Sequence, residues 1–244
     1  RMAHEVGALV VEDAAHALGA AYDNVPVGSC DHSDMTILSF HPVKHVTTGE
    51  GGAVLTNNAD LYQRLLWFRN HGMVKEEQHL ENSSPGPWYY EQQYLGYNYR
   101  ITDLQCAMGI SQLGKLDAFV DKRRQLAAHY DSLFADCSHV LPVARSDPLS
   151  RSSYHLYSIL IDFNGVGCSR HDCMVELRER GIGTQVHYIP LPAQPYYVKR
   201  GWGEIEFPGA NRYYERTLSL PMFPAMSKED VERVAKELRD VLGC

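Results

Sequence analysis

The apolar positions of this chain fall into short strand-like runs at first and longer helical stripes later. Residues 8–13 (Ala-Leu-Val-Val-Glu-Asp) are a compact run that predicts a short buried strand ending in an acid. Met35 to Phe40 and Gly52 to Thr56 predict two more strands, joined by a glycine-rich turn. Ala59 to His71 places Leu61, Leu65, Leu66 and Phe68 at helical spacing, an amphipathic helix expected to pack on the sheet. Thr102-Asp103-Leu104-Gln105 is a capping-box pattern. It opens a long helix predicted to run to Leu133, with Ile110, Leu113, Leu116, Phe119 and Val120 as its buried stripe. Tyr154 to Phe163 and Gly183 to Ile189 predict strands on either side of a helix over Ser169 to Arg180, which Gly181 stops. Pro190, Pro192 and Pro195 then break the chain, and helices are predicted over 210–218 and 227–242, the second capped by Ser227.

The intervals carry their own signals. Arg1 to Gly7 reads as the tail of a helix closed by a glycine. Asp23 to Gly28 is turn-rich, and the polar stretch Val74 to Pro87, with Pro85-Gly86-Pro87 inside it, predicts a mobile loop over a site. Trp88 to Tyr99 holds six aromatic residues, a cluster that reads as core or interface rather than a base-stacking platform.

Ser39-Phe40-His41-Pro42-Val43-Lys44 sets one lysine between an apolar strand and the glycine turn Thr48-Gly49-Glu50-Gly51-Gly52. A lone lysine in a loop reads as a surface residue. If it is desolvated, its neutral amine can attack a carbonyl and so carry an aldehyde cofactor. Asp13 shifts the reading toward the second possibility. An aspartate at the C-terminal end of a parallel strand points into the crevice where ligands bind. Pyridoxal phosphate needs a carboxylate beside its ring nitrogen, because the protonated pyridinium is the electron sink. Spacing alone leaves Asp13 open as a turn or helix-capping residue.

Together with Asp13-Ala14-Ala15-His16-Ala17-Leu18-Gly19-Ala20 and Gly96-Tyr97-Asn98-Tyr99-Arg100-Ile101-Thr102-Asp103-Leu104-Gln105, these stretches resemble the DegT/DnrJ/EryC1/StrS sugar-nucleotide aminotransferases. Four separated motifs occur in the family's order, and the likeness runs through the whole chain. Within the family it is most similar to the pseudaminic acid branch, which has His16 and the His-Pro-Val-Lys motif; His45 departs from it, standing where proline is expected and bearing on loop stiffness.

The resemblance implies an α/β, fold-type-I pyridoxal-phosphate-dependent transferase. In it, residues 1–120 are the C-terminal part of the large cofactor domain and 121–244 a small α/β domain. Three strands before residue 102 make a thin sheet, and the family carries further strands, a phosphate cradle and a ring-stacking aromatic upstream. The chain is therefore expected to be N-terminally incomplete.

The resemblance also implies roles for single residues. Lys44 and Asp13 are the catalytic pair, with His16 at the cofactor's ring hydroxyl, Ser39 at its phosphate and Asn98 reaching that phosphate from the neighbouring subunit. A core histidine and a strand-end hydroxyl are the plain alternatives for His16 and Ser39. Arg100 offers a planar fork for a substrate carboxylate or phosphate, with a structural arginine–carboxylate pair as its alternative. His187 and Tyr188 would line the sugar-nucleotide pocket, unless His187 is simply a satisfied strand histidine.

The implied activity moves an amino group from L-glutamate to C4 of a UDP-linked 4-keto-6-deoxy sugar, in a homodimer with shared sites. A sugar 3-dehydratase of the same family is the first rival, but those enzymes have histidine where this chain has Lys44. A non-catalytic, cofactor-sensing regulator is the second.

Composition narrows the picture. A net charge of −7 argues against a nucleic-acid partner. No apolar run approaches a membrane span, so no membrane partner is expected. The six cysteines lack metal-ligand spacing. They are expected to be reduced thiols in a cytoplasmic enzyme, with no metal.

Overall fold

The computed structural model describes residues 2–143 and 147–244; Arg1, at the start of the expected helix tail, lies outside them. The chain divides into two compact units, Arg1–Asp117 and Ala118–Cys244.

The first unit is built on three strands, β1 (Val11–Asp13), β4 (Met35–Ser39) and β5 (Gly52–Leu55), in the order β1-β4-β5. β1 runs parallel to β4, with Val11 opposite Met35 and Asp13 opposite Ile37. β4 and β5 are antiparallel, with Ser39 opposite Gly52. A small hairpin, β2 (Ala21–Tyr22) with β3 (Val25–Pro26), follows the Asp13 turn. Side chains alternate across strands, so Val11, Ile37 and Val54 share one face, and all three are exposed. The strand expected to be buried at 8–13 is therefore an open edge: β1 has one paired side, and its apolar face is uncovered. On the opposite face Leu38 and Thr36 are buried.

Helix α1 (Ala59–Phe68) is capped by Asn58, whose side chain accepts from the backbone N–H groups of Asp60 and Leu61. The loop expected at 74–87 is closed at its base by β6 (Met73–Val74) and β7 (Glu91–Gln92). Helix α2 (Asp103–Leu113) starts at the predicted capping box. It stops at Gly114 instead of continuing, and α3 (Leu116–Leu133) begins after a two-residue break. Gly114 donates back to Ile110 and Lys115 to Gln112, which tightens the last turn of α2 and ends it. Ile110 and Leu113, expected in the buried stripe, are exposed, whereas Val120 on α3 is buried.

The second unit is an antiparallel sheet, β8 (Val140–Pro142), β9 (Tyr157–Ile161) and β10 (Thr217–Leu220), with β9 in the middle. Its helices are α3, α4 (Arg170–Glu179), α5 (Pro208–Arg216) and α6 (Lys228–Leu242). Inward residues of α3, α4 and α6 join Tyr157, Ile159, Ile161 and Leu218 in one apolar core, whereas α5 has no buried residue. Tyr130 of α3 stacks on Tyr157 at 4.6 Å and donates its hydroxyl to the Pro221 carbonyl at 3.0 Å. Thr217 and Leu218, read as the end of a helix, instead start β10, because their side chains are fully buried against β9. The strand expected at 183–189 does not form. Gln185 alone bridges Ser219, and its side chain takes the Val186 N–H that a ladder would need.

The cysteines also differ from expectation: Cys137 and Cys244 are joined in a disulfide, while Cys30, Cys106, Cys168 and Cys173 are free. The sequence separation of 107 between the bonded pair hides it from the sequence. Arg239 assembles it, donating to Asp136, to the Leu133 carbonyl and to the Cys244 carbonyl.

Candidate active site

The β4–β5 hairpin is closed by a chain of backbone and hydroxyl contacts. Phe40 donates its N–H to the Gly51 carbonyl at 2.9 Å, and Phe40's own carbonyl accepts from the Thr48 N–H at 3.0 Å and the Thr47 hydroxyl at 3.2 Å. Lys44 N–H closes a tight turn on the His41 carbonyl at 2.9 Å. His45 and Val46, the next two residues, are buried and pin the loop from beneath. The residue at the position expected to hold proline thus fixes the loop by burying its side chain. Gly51 sits at φ +156°, where a Cβ would run into the Thr48 hydroxyl, so a glycine is required there.

This frame leaves Lys44 half-buried on the hairpin. Desolvation lowers its ammonium pKa below the usual lysine range, and the charge of Asp13 acts in the opposite direction. Asp13 ends β1, and its carboxylate accepts the Ala15 N–H at 3.1 Å, opening the turn that carries half-buried His16. Ser39 ends β4, and its hydroxyl accepts the His41 N–H at 3.4 Å. Asp13, His16, Ser39 and Lys44 thus gather at the C-terminal ends of the two parallel strands.

Asn98 and Arg100 lie elsewhere in the first unit. Asn98 bridges Asn70, just after α1, and Arg100 donates through Nη1 to the Asn70 Oδ1 at 2.7 Å. Both are exposed, and a neutral amide rather than a carboxylate partners the guanidinium. Tyr97 and Tyr99 flank Asn98, stacked at 4.9 Å and exposed. Four of the six aromatics from Trp88 to Tyr99 are therefore surface residues, while Tyr89 and Tyr94 are half-buried, Tyr94 stacked on Trp67 at 5.6 Å.

His187 and Tyr188 belong to the second unit. His187 Nδ1 lies 2.8 Å from the Ser219 hydroxyl, which is 3.0 Å from that of Ser158. His187 and Ser219 border an open cavity of about 210 Å³ whose lining includes His155, Gln185 and Met222. Tyr188 is exposed beside the His187 ring.

Two residues given no site role by sequence have defined structural ones. The Glu91 carboxylate accepts the backbone N–H groups of Glu81 and Asn82 and the side chains of Asn82, Tyr89 and Gln93. The Glu81 N–H is the main reason its pKa is held down to about 2. Gln105 reaches from α2 to the lysine hairpin, donating through Nε2 to the Glu50 carbonyl at 2.8 Å. The capping box marked Gln105 as a helix residue, and nothing in the sequence pointed to its second partner. Among the described residues no group of three metal-ligating side chains occurs. No helix among them is long and apolar enough to cross a membrane.

Comparison with known proteins follows the same lines. The profile of the DegT/DnrJ/EryC1/StrS aminotransferase family matches residues 1–239. The UDP-4-amino-4,6-dideoxy-N-acetyl-beta-L-altrosamine transaminase of Campylobacter jejuni is 38% identical over 233 residues, 96% of this chain and 58% of that protein. Among solved structures, Helicobacter pylori PseC, an aminotransferase involved in the biosynthesis of pseudoaminic acid, superposes with a TM-score of 0.88 at 30% identity. That match covers 99% of this chain and 62% of PseC. Streptococcus pneumoniae Spr1654, a putative sugar aminotransferase solved in a PLP-form, gives a TM-score of 0.83 at 30% identity, covering 96% of this chain and 58% of Spr1654. The chain spans about six tenths of the length of the curated relatives it matches. With a profile match over 239 of its 244 residues, the chain belongs to the DegT/DnrJ/EryC1/StrS aminotransferase family.

Proposed function

We propose that the full-length protein is a pyridoxal-5′-phosphate-dependent aminotransferase acting in the cytoplasm as a homodimer with shared sites. Its donor is L-glutamate, and its acceptor is C4 of a UDP-linked 4-keto-6-deoxy sugar, the precursor used in the pseudaminic acid branch. The observation that carries the reading is the desolvated Lys44 amine on a rigid hairpin, opposed by the charge of Asp13. The names of the Campylobacter and Helicobacter relatives support the acceptor, and the PLP-form of the Streptococcus relative supports the cofactor.

The residues present suit that cofactor. Lys44 would carry it, Asp13 would face its ring nitrogen, His16 its ring hydroxyl and Ser39 its phosphate, with Asn98 of the neighbouring subunit completing the phosphate site. When bound, the cofactor supplies the electron sink that makes the substrate's carbon–hydrogen bond acidic. The chain's own work is to hold and move protons. Asp13 would set its carboxylate against the ring nitrogen, where a negative partner favours the protonated pyridinium. Lys44 Nζ, pushed toward its neutral form by desolvation, takes the proton from the donor carbon and returns one to C4 of the sugar. Arg100, whose partner in this chain is a neutral amide, is available for the donor carboxylate. His187 and Tyr188 would border the sugar nucleotide.

Turnover of the full-length protein with L-glutamate across a panel of 4-keto sugar nucleotides tests the reading. The UDP-linked pseudaminic acid precursor should be preferred. Lys44→Ala should lose turnover by several powers of ten, as expected when one group serves as both nucleophile and base. Normal turnover in Lys44→Ala would end the assignment. Preference for another sugar would move the enzyme to another branch of the family.

A further inference from the structure

Gln105 joins two motifs that lie far apart in the sequence. Its Oε1 accepts the Thr102 N–H at 2.9 Å and the Thr102 hydroxyl at 3.0 Å, which caps α2 directly after the Asn98–Arg100 segment. Its Nε2 donates to the Glu50 carbonyl at 2.8 Å, 55 residues away on the lysine hairpin. That carbonyl also accepts the Thr48 hydroxyl at 2.8 Å, so both of its lone pairs are used. Four residues on, on the same face of α2, buried Gly109 sits so close to Thr48 that an added Cβ would lie 3.0 Å from its Cγ2. Just before the Thr102 cap, the Ile101 side chain packs at Gly51, where its Cδ1 would lie 3.4 Å from an added Cβ. Ile101, Gln105 and Gly109 therefore form one ridge seated on the hairpin, and Gln105 supplies its directed polar bond.

We propose that Gln105 is a positioning residue of the active site, holding the Lys44 hairpin and the Asn98–Arg100 segment together as one body. This rests on the aminotransferase reading for its consequence: the hairpin serves the subunit's own site, and the segment serves its neighbour's. The tether acts on Lys44 through the loop. Glu50 lies in the strand-return turn, and Gly51, its successor, bonds Phe40 at the root of the lysine turn. Releasing Glu50 frees the return side of the hairpin and lets water reach the amine.

The test is trace acylation of Lys44 in cofactor-free, full-length protein, followed against pH by mass spectrometry. In the wild type, Lys44 should titrate below an ordinary lysine. Gln105→Glu keeps an acceptor for the Thr102 cap but cannot donate to Glu50, and Gln105→Met removes the donor without adding charge. Both should move the Lys44 midpoint upward and slow its labelling at pH 8 by about threefold, roughly half a pH unit of titration. Thr102→Val removes the capping hydroxyl and leaves Nε2 free to reach Glu50. It should lower the hydrogen-exchange protection of the α2 amides while Lys44 labelling stays at the wild-type rate. Wild-type labelling in Gln105→Met would overturn the proposal. So would an equal shift in Thr102→Val, which would make the effect one of helix stability. The readout needs neither cofactor nor turnover, so it stands or falls separately from the proposed reaction.

Discussion

Arg123 lets a magnitude be worked from the structure. It sits on α3, is almost fully buried, and points a single atom, Nη1, at three carbonyls, those of Tyr154, His155 and Met222, each at 3.1 Å. Among the described residues no carboxylate pairs with it, and desolvation lowers its pKa. Nη1 carries two hydrogens, so the three carbonyls share roughly two full charge-assisted bonds, together about 3–6 kcal/mol. Burying the guanidinium opposes this by several kcal/mol. Replacing Arg123 by Met therefore removes both the bonds and the penalty. What remains is the contact at the His155 carbonyl, which is buried, while the other two contacts are only partly so. An unsatisfied buried carbonyl costs about 1–3 kcal/mol. Arg123→Met should lose about 2 kcal/mol, and Arg123→Ala about 2 more for roughly three methylene-sized groups of lost packing. Because the chain has two units, a single unfolding transition is a poor gauge. Native-state hydrogen exchange at the β9 and β10 amides reads the second unit directly. His155 and Met222 also line the cavity beside His187, so the same variant should weaken sugar-nucleotide binding. If Arg123→Met matches wild type while Arg123→Ala falls by about 2 kcal/mol, the stem alone matters and the carbonyl clamp is refuted.

Two further outcomes follow from the candidate site. Asp13 raises the Lys44 pKa against the lowering by desolvation, so Asp13→Asn should move the Lys44 labelling midpoint further down, opposite in sign to the Gln105 variants. Between that midpoint and the ordinary lysine value of 10.5 the native chain holds fewer protons at Lys44 than the unfolded chain. Stability therefore rises with pH across that window. An upward shift in Asp13→Asn would show that the carboxylate does not act on the amine. Full-length Lys44→Ala mixed with Asn98→Ala/Arg100→Ala should regain about a quarter of wild-type activity, because random pairing makes half the molecules mixed dimers with one intact site each. Activity no higher than the sum of the parents would put all three residues in one subunit's site.

Features set by local chemistry were legible in the sequence. The capping box at Thr102 and Gln105 and the caps at Ser169 and Ser227 form as their patterns require. The hairpin that presents Lys44 is legible because β-strand runs flank glycines whose positive φ no other residue adopts cheaply. Features decided by distant partners were not legible. Residues 183–189 have the composition of a strand, but only Gln185 finds a strand neighbour. Thr217 and Leu218 continue a helical pattern, yet burial against β9 makes them strand. Local propensity decided neither case, because the strand partners lie far along the chain, Leu160 and Ile159 for Thr217 and Leu218, and Ser219 for Gln185.

The exposed apolar residues follow the same logic in reverse. A hydrophobic stripe records what is covered in the finished assembly, and it cannot say which surface does the covering. Ile110 and Leu113 on α2, whose spacing reads as buried, are exposed in this chain, as are Leu104 on the same helix and Tyr97 and Tyr99 just before it. Tyr97 and Tyr99 adjoin Asn98 and Arg100, the two residues that the proposed homodimer lends to its neighbour. Exposed apolar side chains beside a cation whose partner among the described residues is a neutral amide suit a subunit interface better than a solvated face. Gln105 and Gly109 of the same helix, with Ile101 just before its cap, meet the lysine hairpin. In the proposed dimer, α2 therefore has two roles. One is to hold its own subunit's lysine in place, and the other is to carry the segment that completes the partner's site. A displacement of α2 would be felt in both sites at once.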